Sequence, residues 1–210
     1  MTRGLRMTLL AVPLTLALGV LVLGSWAIAP YPASETIAIR TAKELAQVPF
    51  ADRLVIGDSR VHDLSSGSGT LFIGYDGATI QQMERLARTA CALHDAPTTI
   101  ALGINDAMMH VDTVEDSIAS MESIVRACQP SEVKLAQIWP AESGVEPLGD
   151  AYDLDVIARL DAALAAIAER EGLKLLPVPP LNEGYTTDGA HFTPEYNALY
   201  AETLVDIGGE

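Results

Sequence analysis

A chain of 210 residues is long enough to bury a sizeable core and suggests one domain with at most an appendage. Its formal charge of −15, from 28 acidic against 13 basic residues, sets its surface against nucleic acid and other polyanions. The acid is spread along the chain rather than gathered in a tail, so it reads as a solvated surface.

The first segment differs in kind. After "MTRGLRM" the chain is uncharged from Thr8 to Ala29, 22 residues, and a membrane-spanning helix needs about 20. Arg3 and Arg6 would hold the N-terminus inside, and Trp26 stands where an aromatic residue meets the interface. Ala27-Ile28-Ala29 offers a cleavage site, but Pro30 would follow the cut, which favours an uncleaved signal anchor over a removed signal peptide. Residues 1–29 are therefore expected to be a transmembrane anchor helix, and 30–50 a linker with a short lead-in helix. Residues 51–210 are expected to form the main domain, in a periplasm or outside the cell. That domain would be secreted if the segment is cleaved.

Beyond the lead-in, "DRLVIGDS", "GTLFIGYDG", "TTIALGIND", "EVKLAQIWP" and "LKLLPVPPL" read as five short apolar strands. Helical stretches fall between them, around 79–94, around 112–128 and at 153–172. The last ends on Gly172, as a left-handed cap should. Its leucine- and alanine-rich stripe is core rather than a cofactor box. A final helix, "PEYNALYAETLVDIG", has Thr193 at its N-cap and Pro194 in its first turn. Cys91 and Cys128 lie near the ends of two of these helices. A disulfide and two separate buried thiols both remain open. No Cys-x-x-Cys or histidine cluster suggests a metal.

Apolar strands alternating with amphipathic helices imply an α/β fold. A mostly parallel five-stranded sheet would be covered on both faces. Ligands bind such sheets at the carboxyl ends of the strands. There the sequence gathers four polar clusters. Gly57-Asp58-Ser59 closes strand one and Gly74-Tyr75-Asp76-Gly77-Ala78-Thr79 closes strand two. Gly103-Ile104-Asn105-Asp106 closes strand three, and Thr187-Asp188-Gly189-Ala190-His191 follows the last. A serine hydroxyl needs a base before it is a nucleophile. His191 is the candidate, since histidine ordinarily titrates near neutrality. Asp188, three residues earlier, is placed to hold its tautomer. An oxyanion needs donors, and the N–H of Ser59, the N–H of Gly77 and the side-chain amide of Asn105 offer three.

With these motifs the chain resembles the SGNH, or GDSL-type, hydrolase family. The resemblance rests on "GDSR", "GYDGAT", "GIND" and "DGAH", in the family's order within residues 54–191. It implies a flavodoxin-like three-layer α/β/α sandwich. It implies Ser59, Asp188 and His191 as catalytic residues and Ser59, Gly77 and Asn105 as the oxyanion hole. The sequence departs from the family at Arg60, where leucine is usual. Gly77 lies only 18 positions after Ser59, so the helix after the nucleophile is expected to be clipped or replaced by the flexible "DLSSGSG". Gly77 is preferred to Gly74 because "GAT" aligns with the family's glycine block.

Other residues carry two readings each. His62, His94 and His110 are second bases or surface residues. Asp58 and Asp106 brace loops rather than react. Arg60 holds an anionic part of a substrate or is solvated. Trp139 borders the cleft or packs. The expected function is that of a serine esterase removing a short acyl group from a cell-envelope glycan or lipid. It would need no cofactor and would have no nucleic-acid partner. A carbohydrate O-acetyltransferase using the same residues and a non-catalytic envelope-assembly module are the alternatives.

Overall fold

The computed structural model describes residues 24, 26–31, 35–109, 113–129 and 131–205. Most of the expected anchor lies outside them, as does His110. Among the described residues no helix is long and apolar enough to cross a membrane.

Five strands form one sheet: β1 (Arg53–Gly57), β2 (Thr70–Gly74), β3 (Thr98–Ala101), β4 (Val133–Ala136) and β5 (Lys174–Leu176). All pairings are parallel and the order is β2-β1-β3-β4-β5. This is the doubly wound, flavodoxin-like order, whose direction of winding reverses between β1 and β3. The fourth and fifth strands stop short of the expected runs. Pro177, Pro179 and Pro180 follow β5 and cannot donate to a ladder.

Strand side chains alternate between two cores, as a period of two requires. Leu54 and Ile56 of β1, Leu71 and Ile73 of β2, Ile100 of β3 and Leu135 of β4 share the larger core. Against it pack α3 (Ile80–Leu93), α5 (Val114–Cys128) and α6 (Leu154–Glu171), with the short α4 (Asp106–Met109) between the first two in the chain. Val55, Ala101, Ala136 and Leu176 turn to the smaller core, with Tyr200 and Leu204 of α7 (Pro194–Val205). Helices thus cover both faces.

Local signals start and stop these helices. Thr79 and Thr113 close capping boxes with Gln82 and Asp116. Asp153 caps α6, which ends on Gly172 with φ of 67°. The lead-in segment contains a 13-residue helix, α1 (Glu35–Gln47). It is packed onto the body rather than tethered to it. Thr41 and Glu44 hydrogen-bond the buried Tyr75 hydroxyl, and Arg40 donates to the Gly74 carbonyl.

Cys91 and Cys128 form a disulfide, with Cα atoms 4.9 Å apart. It joins the C-terminal ends of α3 and α5 and closes a loop of 37 residues. Constraining an unfolded loop of that length stabilises the fold by about 4 kcal/mol. Replacing both cysteines by alanine is expected to lower the unfolding free energy by about that amount in a urea titration. An unchanged midpoint would show that the bridge constrains nothing.

Candidate active site

The nucleophile block is a single helical turn, α2 (Ser59–His62), seated on the ends of β1 and β2. Gly57 and Gly74 are register partners there. A Cβ on Gly57 would lie 2.2 Å from Val61 Cγ2, and one on Gly74 would lie 2.3 Å from the backbone nitrogen of His62. Two glycines therefore let the turn press flush against the sheet. Asp58 is its N-cap, accepting the Arg60 N–H at 3.0 Å. Ser59 is the first residue of the turn, so its own N–H has no carbonyl one helical turn earlier to bond. Burial pushes the Asp58 carboxyl up to about 6, against the pull of the Arg60 guanidinium.

The last cluster lies in a narrow loop closed by a bridge between Thr186 and Phe192. Asp188 shapes it with one carboxylate oxygen, which accepts the N–H groups of Ala190 at 2.9 Å and His191 at 2.8 Å. The other oxygen meets His191 Nδ1 at 2.8 Å. The Asp-x-x-His spacing is thus a turn in which one carboxylate holds both the backbone and the ring. Gly189, at φ of 93°, passes so close to Gly149 that a Cβ would sit 2.1 Å from its nitrogen. Glu142 anchors the loop's first half, accepting from the Gly184 and Thr186 N–H groups and from the Thr186 hydroxyl.

His191 Nε2 stands 3.2 Å from Ser59 Oγ. Burial raises the Asp188 carboxyl, but hydrogen bonds from the His191 ring and from the His191 and Ala190 N–H groups outweigh it and hold it below the usual range. An ionised carboxylate only accepts, so Nδ1 carries the proton and Nε2 accepts from the serine hydroxyl. This arrangement can take a proton from Ser59 as its oxygen attacks.

Two other strand ends face one another. Gly77 adopts φ of 68°, and its N–H makes no hydrogen bond among the described residues. Asn105 is buried, and its amide donates to the Ala78 carbonyl at 3.1 Å, which leaves its second amide hydrogen. Asp106 braces the same corner, accepting the Ile80 N–H at 3.1 Å and the Ser117 hydroxyl at 2.6 Å. At Gly74 the missing side chain makes room for the turn carrying Ser59.

Arg60 follows neither of its expected readings. It is 3% exposed and donates to the carbonyls of Ala190, Trp139 and Pro140. Trp139 is buried and packs at an angle against Phe192 and edge-on against Tyr200. His62 pairs with Asp76 at 2.5 Å and accepts from Arg40, and His94 donates to the Ala51 carbonyl. Both rings are spent on structure. Glu142 carried no sequence signal, because its partners lie more than 40 residues away. No cluster able to hold a metal ion occurs among the described residues.

A doubly wound α/β sheet with serine, histidine and aspartate at its carboxyl edge defines a class of hydrolases. The chain belongs to the GDSL-like lipase/acylhydrolase family, whose model matches residues 39–199. It is an ester-hydrolysing enzyme. Similar solved structures include a GDSL-like lipase from Bacteroides thetaiotaomicron, at 22% identity and TM-score 0.65, covering 80% of this chain and 94% of that one. A lipase/acylhydrolase from Enterococcus faecalis has 18% identity and TM-score 0.62, covering 73% and 93%. A carbohydrate acetylesterase from Sinorhizobium meliloti has 16% identity and TM-score 0.60, covering 73% and 96%. No curated protein matches the chain.

Asp188→Asn keeps a turn-forming acceptor but also offers the ring a donor. Its kcat on 4-nitrophenyl acetate is expected to fall roughly 10⁴-fold with the fold retained. A loss below about tenfold would mean that Asp188 does not orient the ring. Asp58 gives a pH dependence. Its folded value lies above the unfolded one, so between about pH 4 and about pH 6 the folded chain keeps a proton that the unfolded chain has lost. Stability from this residue is full below that window and declines as pH rises through it. Asp58→Asn, which still caps the turn, is expected to flatten the decline in urea midpoints measured across the window. Parallel profiles would refute the assignment.

Proposed function

We propose that this protein is a serine esterase that removes a small acyl group through an acyl-enzyme. Ser59 Oγ attacks the ester carbonyl carbon while His191 Nε2 takes the hydroxyl proton. Asp188 keeps the ring's tautomer and balances the imidazolium. The N–H groups of Ser59 and Gly77 and the Asn105 amide receive the oxyanion. The tetrahedral intermediate expels the alcohol, which leaves with the proton from His191. Water, deprotonated by the same nitrogen, then attacks the acyl-enzyme and releases the acid and the free serine. The observation that carries this reading is the 3.2 Å contact between His191 Nε2 and Ser59 Oγ, with Asp188 behind the ring at 2.8 Å.

The substrate is an acylated glycan or lipid of the cell envelope, reached from a membrane-anchored or secreted domain outside the cytoplasm. The uncharged run from Thr8 to Ala29 supports that location. So does the Cys91–Cys128 disulfide, since such bridges persist in oxidising compartments. A carbohydrate acetylesterase among the structural neighbours agrees with a small acyl group on a sugar.

The test compares hydrolysis of 4-nitrophenyl acetate by the wild type and by Ser59→Ala. The alanine variant is expected to lose roughly 10⁴-fold or more in kcat and all labelling by a fluorophosphonate. Equal turnover by both would overturn the assignment of Ser59.

A further inference from the structure

Arg60 directly follows Ser59 and lies buried, at 3% exposure, and among the described residues no carboxylate is hydrogen-bonded to its guanidinium. Its Nε donates to the Ala190 carbonyl at 2.8 Å, and its guanidinium carbon lies 4.5 Å over the Phe192 ring. Ala190 and Phe192 are the two chain neighbours of His191. The remaining donors reach the Trp139 and Pro140 carbonyls, in the segment after β4. At its other end Arg60 is fixed by the Asp58 cap on its own N–H. One planar fork thus joins the turn carrying Ser59 to segments 79 or more residues further along the chain.

Stability alone does not account for such a residue. Burying a guanidinium costs desolvation that neutral carbonyls and the nearby Asp58 carboxylate only partly offset, and well-packed apolar replacements of buried charges are often neutral or stabilising. What a rigid fork does supply is direction. Its donors are coplanar and fixed relative to one another, so the carbonyls it binds cannot slide independently. We propose that Arg60 is a positioning residue whose guanidinium ties the turn carrying Ser59 to the loop carrying His191 and thereby sets the distance between hydroxyl and imidazole. Asp188 sets the ring's rotation within its own loop; Arg60 sets where that loop stands relative to the serine.

This inference rests on the proposed roles of Ser59 and His191, and its test separates the two. Wild type, Arg60→Met and Arg60→Lys are compared in 4-nitrophenyl acetate hydrolysis, in the rate of fluorophosphonate labelling, and in the NMR signal of the His191 Nδ1 proton, assigned by its loss in His191→Gln. Arg60→Met keeps the stem and removes the fork. It is expected to lose about 100-fold in kcat and in labelling rate with KM unchanged, as a displacement of about an ångström would cause. Its Nδ1 proton signal is expected to shift or broaden. Arg60→Lys keeps the charge but not the fork and is expected to fall between the two. It carries the comparison if Arg60→Met does not fold. Variants matching the wild type in kcat and in the proton signal would overturn the role of Arg60 and leave the serine mechanism standing. A wild type that neither labels nor turns over would overturn the serine mechanism. The proton signal would then decide the Arg60 tie alone: shifted in the variants supports it, unchanged refutes it.

Discussion

The closeness of one helical turn to the end of a sheet is the constraint on which the rest depends. Ser59 belongs to a four-residue helix that cannot hold itself in water, because so short a helix has too few internal hydrogen bonds. It persists because it is pressed onto β1 and β2, where Gly57 and Gly74 leave no Cβ in the way. Val61 anchors it from below, fully buried in the smaller core. Asp58 satisfies one of its free N–H groups, and the Ser59 N–H remains. Hydroxyl and amide of one residue are thus both placed by the turn at the carboxyl edge of the sheet.

The aspartates that brace that edge are all engaged. Asp58 caps, Asp106 binds the start of α3 and Ser117, and Asp188 binds a backbone and a ring. In the proposed mechanism this matters for a chain of net charge −15, because an unengaged carboxylate beside the developing oxyanion would repel it. The donors left over are neutral: two backbone amides and one side-chain amide. Neutral donors fixed by the fold can meet a developing charge without first giving up a counter-ion.

The sheet, its helices and the four polar clusters were legible in the sequence because their signals are local. Apolar runs of strand length, threonine and aspartate caps and a glycine after a helix each act within a few residues of themselves. The Asp188–His191 pairing was legible for the same reason, the two being three residues apart. Arg60 was not legible. As a charged residue beside a polar cluster it read as solvated or substrate-facing, and the carbonyls that bury it come from positions 139, 140 and 190. Glu142 was hidden for the same reason, its partners lying more than 40 residues away, and the His62–Asp76 pair forms only across the fold, 14 residues apart. The two cysteines were visible as residues, but their pairing depended on how α3 and α5 lie side by side.

That geometry separates stability from chemistry along the length of the helices. α3 and α5 begin near the site: Thr79 follows the Gly77 loop, and Ser117, one turn into α5, holds Asp106. They end at the opposite edge of the sheet, and there the disulfide joins them. The covalent constraint therefore acts on the far ends, where no functional loop has to fit a substrate. The near ends are held by capping boxes and single hydrogen bonds, which fix a loop at about 1 kcal/mol each. A parallel sheet imposes this division, since every strand delivers its functional loop to one edge and receives its returning helix at the other.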